Sequence, residues 1–150
     1  MKRLLFVVLA AGVSTAAAAA EGEWDAVAKA IGRPGTEMPG GVYRVGIPRS
    51  DLTVLVDGVQ LRPALALGSY LAFHKAGKEA MVMGDLVLLQ EEVNPVLNVL
   101  RDNGIDVTAL HSHMLDEQPR LFFMLFWAND DAQKLADGLK AALDKTKRAK

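Results

Sequence analysis

The sharpest chemical feature of the chain is His111-Ser112-His113. In a β-strand, residues i and i+2 point to the same side, about 6.5–7 Å apart. Two neutral imidazoles so placed can share one divalent transition metal such as zinc or copper. Residues 105–113 alternate cleanly, with Ile105, Val107, Ala109, His111 and His113 expected on one face. That strand carries the pair to its end, where a sheet opens to solvent. Carboxylates must complete such a site. Asp85, Glu92 and Glu117 are the candidate ligand-binding residues, with Glu91 and Asp116 beside them. Acting on a metal-bound water, Glu92 or Asp85 could serve as general base, the arrangement of a metal-dependent hydrolase. Each residue also has a plainer reading. One histidine can cap a hairpin while the other half-buries against it. Acids at a helix start complement its dipole, and acids in a turn are solvated. His74, on a face with Tyr70 and Ala72, reads as a hydrogen-bonded structural residue.

Templates with more ligands do not fit. In HSHMLDE the Asp falls one place late for the HxHxDH of metallo-β-lactamase-type hydrolases, and the last His is missing. His111, His113 and Glu117 match the HxH-plus-Glu fragment of cupins, but two helical segments contradict an all-β roll. The TIM-barrel amidohydrolases that carry HxH need a far longer chain. There is no G-x-S-x-G nucleophile motif. GRPG and MPGG match neither a P-loop nor a dinucleotide fingerprint. With Cys at 0, thiolates are unavailable as ligands or nucleophiles. Phe73, Phe122, Phe123, Phe126 and Trp127 read as core. Met81, Met83 and Met124 do too, although thioethers are soft copper ligands. Met114, beside His113, stays open as a ligand.

The elements that must position these residues follow from periodicity. Trp24, Val27, Ala28 and Ile31 recur at helical spacing, so a short helix is expected over 22–31 with Gly32 ending it. GRPGTEMPGG reads as a loop. Strands are expected over 42–47, 52–56 and 59–61, the last two joined by a tight Asp57-Gly58 turn that needs positive φ. Strands over 69–75 and 80–89 follow, with Gly77-Lys78-Glu79 as their turn. Gly84-Asp85 inside the second suggests a bulge or a close backbone approach. A helix is expected over 91–102, with Glu91 and Glu92 in its first turn and Pro95 near its start. It should cross over between parallel neighbours. Residues 105–113 and 121–127 then form a hairpin, and LFFMLFW, apolar on both faces, reads as a central strand. Asn129 or Asp130 caps a last helix bearing Ala132, Leu135, Ala136, Leu139 and Leu143 on its buried stripe. The order implies an α+β fold: a mostly antiparallel sheet with helices packed on one face, in a single domain.

Composition narrows the function class. The chain has 150 residues, of which 51% are hydrophobic and 23% charged. That excludes a disordered chain, and a formal net charge of -1 gives no basic face for nucleic acid. Lys2 and Arg3, the apolar run Leu4 to Val13, and Ala18-Ala19-Ala20 make residues 1–20 a secretory signal peptide. The apolar run is too short to span a bilayer, so no membrane span is expected once it is removed. Without Lys2 and Arg3, 15 basic residues of the 17 remain against 18 acidic ones, a net charge of -3 for residues 21–150. A periplasmic or secreted location is expected.

The run MVMGDLVLLQEEVNPVLNVLRDNGIDVTALHSHML, followed by PRLFFMLFW, resembles the LppY/LpqO-type family of uncharacterised exported bacterial proteins. The resemblance spans about residues 41–143. Its most specific blocks are Met83-Gly84-Asp85, Glu92-Val93-Asn94-Pro95 and Ala109-Leu110-His111-x-His113. The family implies export but no assigned activity. Many members carry a lipid-anchoring Cys or a longer, duplicated chain, and this sequence shows neither. Where the family is associated with a Met-His pair on the second hairpin strand, this chain reads Met124-Leu125, which removes a third imidazole. The expectation is an exported domain binding a metal ion or small ligand at His111 and His113, with Asp85, Glu92 or Glu117 completing the site. The alternatives are a non-catalytic module that binds another exported protein, its histidines structural, and the metal-dependent hydrolase.

Overall fold

A computed structural model describes residues 22–148. The expected leader at 1–20 lies outside the described residues. Helix α1 (Asp25–Ile31) ends on Gly32, whose φ of 83° lets its N–H reach Ala28 O. Strand β1 (Thr36–Met38) occupies the stretch expected to be a loop. It forms because it pairs antiparallel with β2 (Val42–Pro48), a tertiary gain that outweighs the Gly and Pro around it. The small hairpin β3 (Val54–Val56) and β4 (Val59–Leu61) turns on Asp57 and Gly58, both at positive φ, as expected. Pro63 does more than stop β4: it starts a four-residue helix, α2 (Pro63–Ala66), where its missing N–H is harmless.

Strands β5 (Gly68–Ala76) and β6 (Glu79–Leu89) form a long hairpin. Its register runs unbroken through Gly84 and Asp85, so the bulge is absent. The close approach is real. A Cβ on Gly84 would stand 2.2 Å from Tyr70 O and 2.4 Å from the Phe126 ring. Helix α3 (Gln90–Asp102) leads to β7 (Asp106–His111), which forms a hairpin with β8 (Leu121–Asp130). Both β6 and β7 pair antiparallel with β8. They are therefore parallel to each other but separated by it, and α3 crosses over to the next strand but one. The last helix, α4 (Ala132–Leu143), is capped by Asp131 rather than by Asn129 or Asp130; its carboxylate accepts from Lys134 N.

The main sheet has six strands in the order β1-β2-β5-β6-β8-β7, all neighbours antiparallel. Inward residues of β2, β5, β6 and β8, such as Val45, Phe73, Val82 and Phe126, meet α1, α3 and α4 in one core. The fold is thus the expected α+β sandwich, with α1, α3 and α4 on one face. A second, smaller core lies on the opposite face, where Val54 of β3 and Leu67 after α2 cover Val87, Leu89, Leu121 and Phe123. That cover is partial. Burial along β6 alternates from Glu79 to Leu86 and then becomes continuous to Leu89. One half of this sheet face is sealed, and the other half is open to solvent. Among the described residues no helix is long and apolar enough to cross a membrane.

Candidate functional site

The histidines stand at the edge of the open half of the sheet. Strand β7 ends at His111, two residues earlier than expected, and it is not perfectly regular. A register shift between Val107 and Ala109 leaves Thr108 without a partner. The bulge changes which residues share a side. Val107 pairs with Phe126 and faces the helices, whereas Ala109 and His111 pair with Leu125 and Phe123 on the open face. The five-residue face expected from simple alternation is therefore broken at Thr108.

His113 lies beyond the strand and returns to the site by a loop. Its ring stacks on Phe123, with centroids 3.6 Å apart and planes 13° from parallel. The Nε2 atoms of His111 and His113 come within 3.0 Å of each other. One imidazole donates to the other, in the direction their tautomers set. Both rings are exposed, while Phe123 beneath them is 2% exposed.

The loop that delivers His113 is held by a buried carboxylate. Glu117 is fully buried, and its Oε1 accepts from Leu121 N at 2.9 Å. Arg120 approaches both Glu117 oxygens at 3.4 Å and donates to Met114 O and Leu115 O. Ser112 Oγ lies 3.0 Å from Met114 O and 3.1 Å from Leu121 O. Gln118 exchanges backbone hydrogen bonds with Leu55 of β3, which ties the loop to the small hairpin. Glu117 thus sits inside the loop as its brace, with its carboxylate engaged by Leu121 N and Arg120.

Glu92 is engaged in the same way. It is 3% exposed, and its carboxylate takes four hydrogen bonds. Oε2 accepts from Arg49 at 2.7 Å and from Leu89 N at the start of α3. Oε1 accepts from Arg49 at 3.1 Å and from Lys147 N at 2.7 Å. Arg49, itself 1% exposed, also reaches Val87 O and pairs with Asp51. Burial alone would push the Asp51 carboxyl up, but the hydrogen bonds and charge of Arg49 hold it below the ordinary Asp value. This knot joins the end of β2, the start of α3 and the C-terminal segment. Sequence spacing offered no sign of it, because Arg49 and Glu92 are 43 residues apart.

Asp85 differs from Glu92 and Glu117 in that no web of hydrogen bonds claims its carboxylate, and it lies on the sheet face that carries Tyr70 and Leu125. Its partners in register are Tyr70 on β5 and Leu125 on β8. Its Oδ1 is buried and has no hydrogen-bond partner among the described residues. Burial raises its carboxyl above the ordinary Asp value, against a smaller downward pull from His113 and His111. Among the described residues no three of His, Asp and Glu converge closely enough to hold a metal ion by themselves. Leu125 lies in register between Asp85 and Ala109.

Comparison with known proteins places the chain without assigning an activity. No curated protein and no solved structure matches it. One family model does, over residues 25–145, from the first helix to just past the last. That span holds every strand of the sheet, His111, His113 and Asp85, and the chain belongs to the family described as Domain of Unknown Function (DUF1259).

Proposed function

We propose that the protein is an exported binding domain of the LppY/LpqO type, acting in the periplasm or outside the cell, with His111 and His113 as its binding centre. The observation that carries this reading is the 3.0 Å separation of the two Nε2 atoms. Two imidazole nitrogens bound about 2.0–2.1 Å from one zinc ion stand about 3–3.4 Å apart, from cis-octahedral to tetrahedral angles. The pair already has the bite of a two-imidazole chelate for Zn²⁺ or Cu²⁺. Two protein ligands leave the remaining coordination positions for water or for donor atoms of a small ligand. Asp85 shares this face of the sheet two strands away, and would supply an acceptor toward the far end of such a ligand. Open positions and a carboxylate on the same face also suit metal-assisted hydrolysis, with Asp85 as base. Two ligands support binding better than turnover.

A second reading has its own observation. The stack of His113 on Phe123 and the His–His hydrogen bond are contacts that purely structural histidines would make. In that case the open face binds another exported protein and the pair only shapes its edge. Calorimetric titration of the untagged protein with Zn²⁺ and Cu²⁺, beside His111→Ala/His113→Ala, separates the two. Binding at micromolar level that vanishes in the variant is expected. A variant that loses stability while neither protein takes up metal would establish the structural reading.

A further inference from the structure

The open half of the sheet carries a second set of soft donors that sequence reading assigned to the core. Met81 is 36% exposed and Met83 45%, and Trp127 is 38% exposed. The methionines alternate with Ala80 and Val82 and Trp127 stands between Phe126 and Ala128, all four buried against the helices, so the three project from the opposite, uncovered face. The strand register gathers them. Met81 is the cross-strand partner of His74, and Met83 is the partner of Trp127. Direct partners have Cβ atoms about 4.5–5.5 Å apart, and diagonal ones such as His74 and Met83 stay within reach of long side chains. Ala72, the partner of Met83 on β5, is small, and its other partner, Arg44, lays its guanidinium over the Tyr70 ring, 4.2 Å from the centroid. The His74 ring takes part in no hydrogen bond among the described residues. A Cβ built on Gly41 would stand 3.8 Å from its Nε2, an ordinary contact distance.

Exposed methionines and a tryptophan grouped on one surface lose apolar burial, and such patches mark binding sites. This group has a specific chemistry. Thioether sulfur and imidazole together select a soft, monovalent d10 cation over the harder divalent ions. A flexible Met can turn its sulfur inward without backbone movement. An indole face beside the cation adds attraction from its negative π surface. With no cysteine in the chain, thioethers are its only soft sulfur donors. We propose that His74, Met81 and Met83 form a Cu(I) or Ag(I) site on the open sheet face, with Trp127 packed beside the ion. The site shares no residue with the His111–His113 pair and does not depend on it.

The test is an anaerobic titration of the full, untagged protein with Cu(I) buffered by bicinchoninate, repeated with Met81→Leu/Met83→Leu and with His111→Ala/His113→Ala. Leu replaces Met at nearly constant volume, so folding is kept. One equivalent of Cu(I) should be withdrawn from the chelator by the natural protein and by the His111/His113 variant. Affinity should fall in the methionine variant by more than the roughly 10- to 100-fold typical of losing an outer-shell partner. X-ray absorption of the Cu(I)-loaded natural protein should show sulfur neighbours, a readout independent of whether any variant folds. Failure to compete with bicinchoninate, loss of Cu(I) only in the His111/His113 variant, or a nitrogen- and oxygen-only copper environment would each overturn the proposal.

Discussion

The imidazole of His113 lies flat on the ring of Phe123, 3.6 Å between centroids, although His113 has already left strand β7. The same Phe123 is the register partner of His111. One buried aromatic ring on β8 thus sets the position of both histidines, and the pair is a product of the β7–β8 hairpin and its loop together.

Replacing that platform should loosen the pair without dismantling the sheet. Phe123→Leu is expected to weaken Zn²⁺ binding by roughly 10- to 100-fold, as when a positioning partner is removed. Losing the aromatic contact should cost about 0.5–1.5 kcal/mol of stability, on top of the cost of shrinking a buried core side chain. Calorimetry and urea unfolding on the same sample give both numbers. Unchanged affinity would mean the imidazoles hold their geometry without the ring.

Leu125 offers a gain-of-function test. It stands on the open face, diagonal to His111 across the β7–β8 pairing and opposite Asp85. Leu125→His should bring a third imidazole to the pair and tighten Zn²⁺ binding by at least about tenfold, or about 1.4 kcal/mol. Competition against a chromophoric chelator measures it. No tightening would show that position 125 does not reach the ion.

Glu92 should matter for folding and not for metal. Removing it leaves the buried Arg49 with only part of its neutralising charge, and breaking such a pair costs about 3–5 kcal/mol. Because Asp51 remains, Glu92→Ala should fall toward the lower end of that range. Its Zn²⁺ affinity, measured well below the unfolding temperature, should match the natural protein. A fall in both would return Glu92 to the site.

Asp51 gives the pH dependence. Its folded carboxyl titrates below the unfolded value of about 3.9, so its contribution is complete above that value and drains away as pH falls through the lower folded one. Asp51→Asn should destabilise the protein at neutral pH and flatten the loss of stability on acidification. Parallel slopes in the two proteins between neutral and strongly acidic pH would contradict this.

Gly84 tests the closeness of β5 and β8. With Tyr70 O only 2.2 Å from an added Cβ, Gly84→Ala forces backbone to move. The cost should reach at least the upper part of the roughly 1–3 kcal/mol range for overpacked cores. A melting curve like that of the natural protein would mean the strands yield easily.

Local patterning determined much of this protein. Alternation along β2 and β5, the stripe of α4, the Asp57-Gly58 turn and the doubly apolar β8 all sit where short-range chemistry puts them, and the α+β class followed. The His111–His113 pair was legible as a motif. Its geometry was not, because a bulge at Thr108 and a loop braced by Glu117 decide where each ring goes. Only the tertiary structure separated the acids. Glu92 is claimed by an arginine 43 residues away and Glu117 by its own loop, while the buried Oδ1 of Asp85 has no hydrogen-bond partner among the described residues. It also decided the fate of Met81, Met83 and Trp127. Hydrophobicity says that a side chain gains by burial, but not whether another element covers its face of the sheet. Here β3, β4 and Leu67 cover half of that face, and the soft donors stand on the other half.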